Sequence, residues 1–170
     1  KLQELFPRVV EQDFAPDGAV YALPLYIDTL ALIYNKDIFD KKGVALPAKD
    51  WPDFQNQILK IRELDRRGNI TLAAASIGGT SKSVNRAPDL LSALMLQTGA
   101  KMVSGNFETA TFASDEGRDA LRFYTQFADP THKSYTWNDE LHYSLDAFSE
   151  GSAAMIFNYQ YNLRTLREKN

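Results

Sequence analysis

Two polar side chains interrupt an apolar run near the start of the chain and are the first candidates for ligand chemistry. Asp28 lies among Leu25, Ile27 and Leu30, where a carboxylate is costly unless it is paired or hydrated. Tyr26 comes two residues earlier and would share one face of a strand with Asp28. One interpretation is that both contact a ligand. The alternatives are a strand-end cap for Asp28 and ordinary packing for Tyr26.

A second candidate region is a glycine-containing loop followed by the start of a helix. Residues 78–82 could present backbone N–H groups to a ligand, but they lack the G-x-x-x-x-G-K-[ST] spacing of a nucleotide-binding loop. A flexible connection is the favoured interpretation of this loop. Asn85 and Arg86 precede the predicted helix and could reach a cleft; alternatively, Asn85 caps the helix and Arg86 pairs with Asp89 on the surface.

Catalytic chemistry has weaker support in this sequence. A glycoside hydrolase needs two carboxylates that flank one bond, and no spacing selects such a pair. The candidate carboxylates are Asp28, Asp139, Glu140, Asp146 and Glu150. A serine hydrolase has no G-x-S-x-G motif here, and His132 and His142 do not form a zinc motif. With no cysteine in the chain, thiolate catalysis and cysteine-based zinc sites are excluded.

The composition indicates a globular protein of 170 residues with 44% apolar residues and a formal net charge of −3. Because no cluster of Lys and Arg is present, we expect neither nucleic acid nor a membrane surface as a partner. No apolar run reaches transmembrane length. The first six residues are typical of the middle of a helix, so we expect the sequence to be part of a larger protein.

Helical and strand patterns alternate along the chain and predict an α/β layered domain. The predicted helices cover residues 3–12, 35–43, 51–66, 87–98, 114–128, 143–150 and a stretch from about 161. The predicted strands are one or two buried strands within residues 20–35, a strand at 70–77 and a buried strand at 153–157, with a loop at 129–142.

The two tryptophans have separate interpretations. Trp51 begins an amphipathic helix after the predicted N-cap Asp50, so we expect it to pack on the core. Trp137 lies in a polar loop and is predicted to be a half-buried anchor or, alternatively, a contact at the edge of a cleft. Buried faces are predicted to include Leu5 and Val9 in the first helix, and Leu64 and Leu121 further along the chain.

Three segments, in this order and at these distances, resemble the extracellular solute-binding proteins of the maltose-binding type. The first is residues 20–39, whose pattern LP-x-x-x-D-T-L-A-L-x-Y-N-K-D is the most specific. The second is Pro47 with residues 50–54, and the third is residues 147–158. The resemblance covers most of residues 3–165 and implies an α/β, periplasmic-binding-protein-like class II fold.

Family members are considerably longer than this chain, so the resemblance implies a middle portion of such a protein. Residues 1–27 would be the end of the first lobe and the hinge segment. Residues 28–170 would be the second lobe, truncated, and the ligand cleft would be only half present.

The resemblance also implies where ligand would bind. Asp28 would be a sugar-binding acid at the crossing between lobes. Tyr161, with Tyr159 as the second choice, would stack on the ligand after the strand that ends at Asn158. The predicted ligand-binding set is completed by three residues named above: Tyr26, Asn85 and Arg86.

The function implied by the resemblance is non-catalytic. The protein would capture a sugar or oligosaccharide outside the cytoplasm, in the periplasm or as a cell-surface lipoprotein, and deliver it to the permease of an ABC importer. We expect a monomer with no cofactor and no bound metal. A carbohydrate hydrolase and a protein-interaction domain are the alternatives.

Overall fold

The computed structural model describes residues 2–15 and 17–169. Lys1, Pro16 and Asn170, which fall within the predicted lobes, lie outside the described residues. The helices are α1 (Leu2–Leu5), α2 (Arg8–Phe14), α3 (Lys36–Lys41), α4 (Trp51–Ile61), α5 (Ala87–Thr98), α6 (Asp115–Thr125), α7 (Ser144–Ser149) and α8 (Asn162–Lys169). The strands are β1 (Leu30–Tyr34), β2 (Glu63–Leu64), β3 (Ile70–Leu72) and β4 (Met155–Tyr159), and a 3-10 turn covers Gln126–Ala128.

The central pairing joins β1 to β4. The two strands are antiparallel, with Leu30 opposite Tyr159 and Tyr34 opposite Met155. Residues 73–76 lie along the other edge of β4 through parallel bridges, Ala73 to Ala153 and Ser76 to Ile156. A separate short pair is formed by β2 and β3. Helices alternate with these strands along the chain, which confirms the predicted α/β fold class.

The apolar segment before β1 differs most from its prediction. Residues 20–29 form no strand, and only residues 30–34 of the expected run are extended and paired. The side chains of Leu23, Leu25 and Tyr26 are 61%, 99% and 81% exposed. A strand requires a hydrogen-bonding partner, and no described strand lies beside this segment.

Two predicted helices differ from expectation because their backbones leave the helical region: one is divided and the other ends early. The helix predicted at 3–12 is divided at Pro7, whose ψ of 153° places it at the N-cap of α2. Leu5 and Val9 are exposed rather than buried. The helix predicted at 51–66 ends at Ile61, since Arg62 is extended and the next residues form β2. Leu64 is therefore on an exposed strand.

The later helices agree closely with the sequence. α5 has the predicted limits and ends at Gly99, whose φ of 91° is the left-handed conformation of a C-cap. α6 begins after Ser114, whose hydroxyl accepts from the Gly117 amide, and continues as the 3-10 turn; Leu121 is exposed. The strand predicted at 70–77 is regular only over β3, and the one at 153–157 is displaced to 155–159.

An aromatic cluster packs against the core. Trp51 contacts Phe54, Phe123 and Phe157 with ring centroids 5.4, 5.2 and 5.9 Å apart, as expected for a residue that packs on the core. Trp137 is fully buried and its indole N–H donates to the Ser83 hydroxyl. Both interpretations of Trp137, the half-buried anchor and the cleft-edge contact, are therefore wrong.

Substitutions of the neighbouring residues Ile58 and Leu59 test which face of α4 packs on this core. Ile58 is 0% exposed and Leu59 is 45% exposed. We expect Ile58→Ala to lower the free energy of unfolding by about 2–5 kcal/mol because it leaves a cavity, and Leu59→Ala by less than about 1 kcal/mol. Urea unfolding measures both values. Equal losses would contradict the described orientation of α4.

Candidate ligand-binding site

A cleft of about 620 Å³ opens where three parts of the chain meet. These parts are the segment before β1, the residue before α5 and the end of β4. Its lining residues are Tyr26, Ile27, Asp28, Arg86, Tyr159 and Tyr161. The structure thus brings five of the six sequence-predicted ligand-binding residues to one concave surface.

Asp28 joins the segment before β1 to the turn after β4. One carboxylate oxygen accepts from the amides of Thr29 at 2.7 Å and Gln160 at 3.1 Å. The other oxygen accepts from the amide of Tyr161 at 3.0 Å. The proposed cap with Thr29 is therefore present, and the carboxylate also holds the backbone that carries Tyr161.

The hydrogen bonds to Asp28 favour its ionised form. Partial burial of the carboxylate acts to raise its pKa, but the amides of Tyr161, Thr29 and Gln160 together outweigh burial and leave the pKa below its usual value. An ionised carboxylate accepts hydrogen bonds through both oxygens. Asp28 is therefore an acceptor at neutral pH, for the backbone and for any hydroxyl group that enters the cleft.

The two tyrosines after β4 form an aromatic surface. The rings of Tyr159 and Tyr161 are nearly parallel, with an interplanar angle of 18° and centroids 6.3 Å apart. Tyr159 is half-buried, whereas Tyr161 is 56% exposed. Tyr159 is the last residue of β4 and Tyr161 lies in the turn that follows, and this turn brings the two rings together.

Arg86 connects these tyrosines to the N-terminal end of α5. Its guanidinium carbon lies 4.8 Å from the centroid of the Tyr159 ring and 6.0 Å from that of Tyr161, within cation–π range. A terminal nitrogen donates to the Tyr161 hydroxyl at 2.6 Å. The predicted surface pair with Asp89 is also present, at 3.7 Å.

Asn85 lies beneath the cleft and is not one of its lining residues. Its side-chain oxygen accepts from the fully buried Asn158 at 3.1 Å, and its side-chain nitrogen donates to the Tyr143 hydroxyl. It does not cap α5, because the N-cap residue is Arg86. Asn85 instead supports β4 one residue before Tyr159.

Tyr26 and Ile27 form the exposed wall of the cleft. Tyr26 is 81% exposed, so ordinary packing does not describe it. Ile27 was not among the sequence candidates, because an isoleucine in an apolar run is typical of core packing. The absence of a strand at this position turns both side chains toward solvent.

The glycine-containing loop has a structural role away from the cleft. The Thr80 amide and hydroxyl and the Ser83 hydroxyl all donate to Asp139, at 2.8, 2.6 and 2.6 Å. A Cβ on Gly79 would lie 2.7 Å from an Asp139 oxygen. The loop is thus packed tightly rather than loosely connected, and its Thr80 amide is already paired.

The carboxylates considered for catalysis do not assemble in the cleft. Asp146 pairs with Lys169 at 2.9 Å and Glu150 with His142 at 2.9 Å, while Asp139 holds the loop described above. Asp28 is the single carboxylate among the described lining residues. Within residues 2–15 and 17–169, no three His, Cys, Asp or Glu side chains are grouped for a metal ion, and no helix is long and apolar enough to cross a membrane.

Comparison with known families gives a match over almost the whole chain. The model of the bacterial extracellular solute-binding proteins matches residues 6–170. The chain belongs to this family. The sequence-based recognition is therefore confirmed, and the family is one of solute binding rather than catalysis.

Solved structures show the same fold. A solute-binding protein of an ABC transporter from Thermotoga lettingae, bound with α-D-tagatose, has a TM-score of 0.74 and 23% identity over 97% of this chain and 41% of its own. The Listeria monocytogenes protein Lmo0181, in complex with cycloalternan, has a TM-score of 0.71 and 20% identity, and the match covers 98% of this chain and 41% of that one. MalE of Bdellovibrio bacteriovorus, bound to maltotriose, has a TM-score of 0.67 and 17% identity, and the match covers 99% of this chain and 43% of that one.

The chain spans well under half of these relatives. In the solved structures it covers 41–43% of the matched chain. A Brucella abortus protein named as a binding protein is 35% identical over 60 residues, which are 34% of this chain and 15% of that protein.

Replacing Asp28 tests its hold on the turn after β4. Asp28→Asn removes the charge and one acceptor, so we expect the amides of Gln160 and Tyr161 to exchange hydrogen about tenfold faster. Hydrogen exchange followed by NMR measures these rates. The matched control is Asp65→Asn, because Asp65 accepts the amides of Arg67 and Asn69 at 2.7 and 2.9 Å in a separate turn. We call the hydrogen bonds from the amides of Gln160 and Tyr161 to the Asp28 carboxylate the Asp28 clamp. Unchanged exchange at these two amides in Asp28→Asn would contradict the clamp.

Proposed function

We propose that this chain supplies one wall of the ligand cleft of an extracytoplasmic solute-binding protein, which captures a sugar or oligosaccharide and delivers it to an ABC importer. The observation that carries the proposal is the convergence of Asp28, Arg86, Tyr159 and Tyr161 on one cleft. These residues come from distant parts of the sequence.

The chemistry of the cleft suits a polyhydroxylated ligand. Sugar rings offer C–H faces that pack on aromatic rings, and the parallel rings of Tyr159 and Tyr161 supply such a surface. Sugar hydroxyl groups need both donors and acceptors, which Arg86 and the carboxylate of Asp28 provide at the edge of this surface. Tyr26 adds a third aromatic ring to the lining of the cleft.

The ligands of related structures support this class. Proteins with this fold are bound with α-D-tagatose, cycloalternan and maltotriose. UgpB of Mycobacterium tuberculosis, which also matches, is in complex with glycerophosphocholine. All of these ligands except the last are carbohydrates, and carbohydrate is the class that we propose here.

Residues 1–27 are proposed as the end of the first lobe with the hinge segment, and residues 28–170 as the second lobe. The exposed apolar side chains of Leu23 and Leu25 support this division, because a further lobe would cover them. Ligand that contacts both lobes would then favour the closed form by its higher affinity for that form.

Delivery completes the proposed function. The closed, ligand-loaded protein would dock as a monomer on the permease subunits of an ABC importer at the outer side of the membrane. The match to a bacterial extracellular family supports this location. The proposed role uses no cofactor.

Ligand binding without turnover tests the proposal. We expect maltotriose or α-D-tagatose to raise the melting temperature of the full-length gene product and to be recovered unchanged. Glycerophosphocholine serves as the non-carbohydrate comparison. Hydrolysis of the sugar would contradict a binding role, and stabilisation by glycerophosphocholine alone would contradict the carbohydrate class.

Removing one ring of the aromatic surface tests the position of the site. We expect Tyr161→Ala to weaken sugar affinity about tenfold, because the stacking surface is lost. Isothermal titration calorimetry measures the affinity. Phe112→Ala is the matched control, since this aromatic is 45% exposed, against 56% for Tyr161, and lies outside the cleft. An equal affinity for both variants would place the ligand elsewhere.

A further inference from the structure

Asp89 lies just outside the cleft lining, in the first turn of α5. Its carboxylate pairs with the guanidinium of Arg86 at 3.7 Å, and both side chains are partly buried, with 39% and 28% of their surfaces exposed. On sequence grounds this acid is a surface partner of Arg86 or a favourable charge at a helix start. Its position beside the tyrosines gives it a further role.

We propose that Asp89 is a positioning residue that fixes Arg86, and through Arg86 the two tyrosine rings, in the arrangement that receives the ligand. This inference rests on the proposed function for the choice of ligand. The interaction of Asp89 with Tyr159 is independent of it.

The orientation of the guanidinium depends on few contacts. One terminal nitrogen donates to the Tyr161 hydroxyl at 2.6 Å, and the plane lies against the Tyr159 ring. The Nε atom is buried and has no hydrogen-bond partner among the residues that the structure describes. Asp89 therefore supplies the charged contact that holds the other terminal nitrogen toward α5.

Removing this contact would leave Arg86 with a competing partner. The other carboxylate at the cleft is Asp28, whose oxygens already accept from the amides of Gln160 and Tyr161. An Arg86 that turned toward Asp28 would leave the Tyr159 ring. Asp89 thus keeps the cation on the rings and separate from the Asp28 clamp.

The ionisation of Tyr159 reports directly on this arrangement. Burial raises the pKa of Tyr159, and the charge of Asp89 and a hydrogen bond that the Tyr159 hydroxyl donates to the Asp89 carboxylate raise the pKa further. Arg86 acts in the opposite direction, and Asp28 adds a smaller increase. Removing the charge of Asp89 should therefore lower the pKa of Tyr159.

The test compares Asp89→Asn with Asp119→Asn in the full-length gene product. Asp119 forms a more exposed pair of the same three-residue spacing, in the reverse order, with Arg122 on α6 at 3.5 Å and outside the cleft lining. We expect Asp89→Asn to weaken affinity for maltotriose or α-D-tagatose about three- to fivefold. Asp119→Asn should leave the affinity unchanged, and Asp89→Glu should restore most of it.

Ultraviolet titration of the tyrosines separates positioning from general stability. We expect Asp89→Asn to lower one tyrosine pKa, and a Tyr159→Phe variant to identify that transition by its loss. Asp119→Asn should leave the same transition in place. Circular dichroism melting checks that the variants are folded, so that a change in titration or affinity is not the result of unfolding.

Each outcome bears on the proposal. An unshifted Tyr159 titration in Asp89→Asn overturns the contact, whether or not sugar binds. A shifted titration with unchanged sugar affinity overturns the positioning role and leaves the proposed function intact. Failure of the unmodified protein to bind any of the sugars contradicts the proposed function and removes the positioning role with it.

Discussion

The carboxylate of Asp28 needs hydrogen-bond donors, and the chain supplies them from the turn that follows β4. The antiparallel register places Leu30 opposite Tyr159, so the residues before β1 and after β4 leave the sheet at the same end. The amides of Gln160 and Tyr161 have no strand partner at that point and donate to Asp28 instead. With the amide of Thr29, this one carboxylate satisfies three backbone donors and holds Tyr161 beside Tyr159, which β1 holds in the sheet.

The position of Arg86 in the cleft depends on how the chain enters α5. Asp139 accepts from Thr80 and Ser83, and Trp137 donates to the same Ser83 hydroxyl. These hydrogen bonds hold the loop that leads into the helix. Arg86 then lies at the N-cap of α5 and reaches across to the Tyr161 hydroxyl. The candidate site is thus supported twice, by a carboxylate at the strand end and by a cation at the helix start.

Much of this arrangement could be predicted from the sequence because its signals are local. A carboxylate within an apolar run indicated a special environment for Asp28, and capping residues placed α5 and α6 correctly. The segment 20–29 was predicted wrongly as strand because apolar character does not reveal whether a partner strand is present. Ile27 was not predicted as a lining residue for the same reason. Asp89 was not predicted as a site residue because an acid in the first turn of a helix is common. The structural roles of the segment 20–29, Ile27 and Asp89 depend on contacts between segments that are distant in the sequence.

The chain belongs to the family of bacterial extracellular solute-binding proteins, while the proposed position of a ligand depends on the surface formed by Asp28, Tyr159 and Tyr161. A crystal structure of the full-length gene product grown with maltotriose tests this position most directly. The account predicts a sugar ring packed against the tyrosines, with a hydroxyl group within hydrogen-bonding distance of Asp28 or Arg86. Maltotriose bound at another surface, with these side chains facing only solvent, would contradict it.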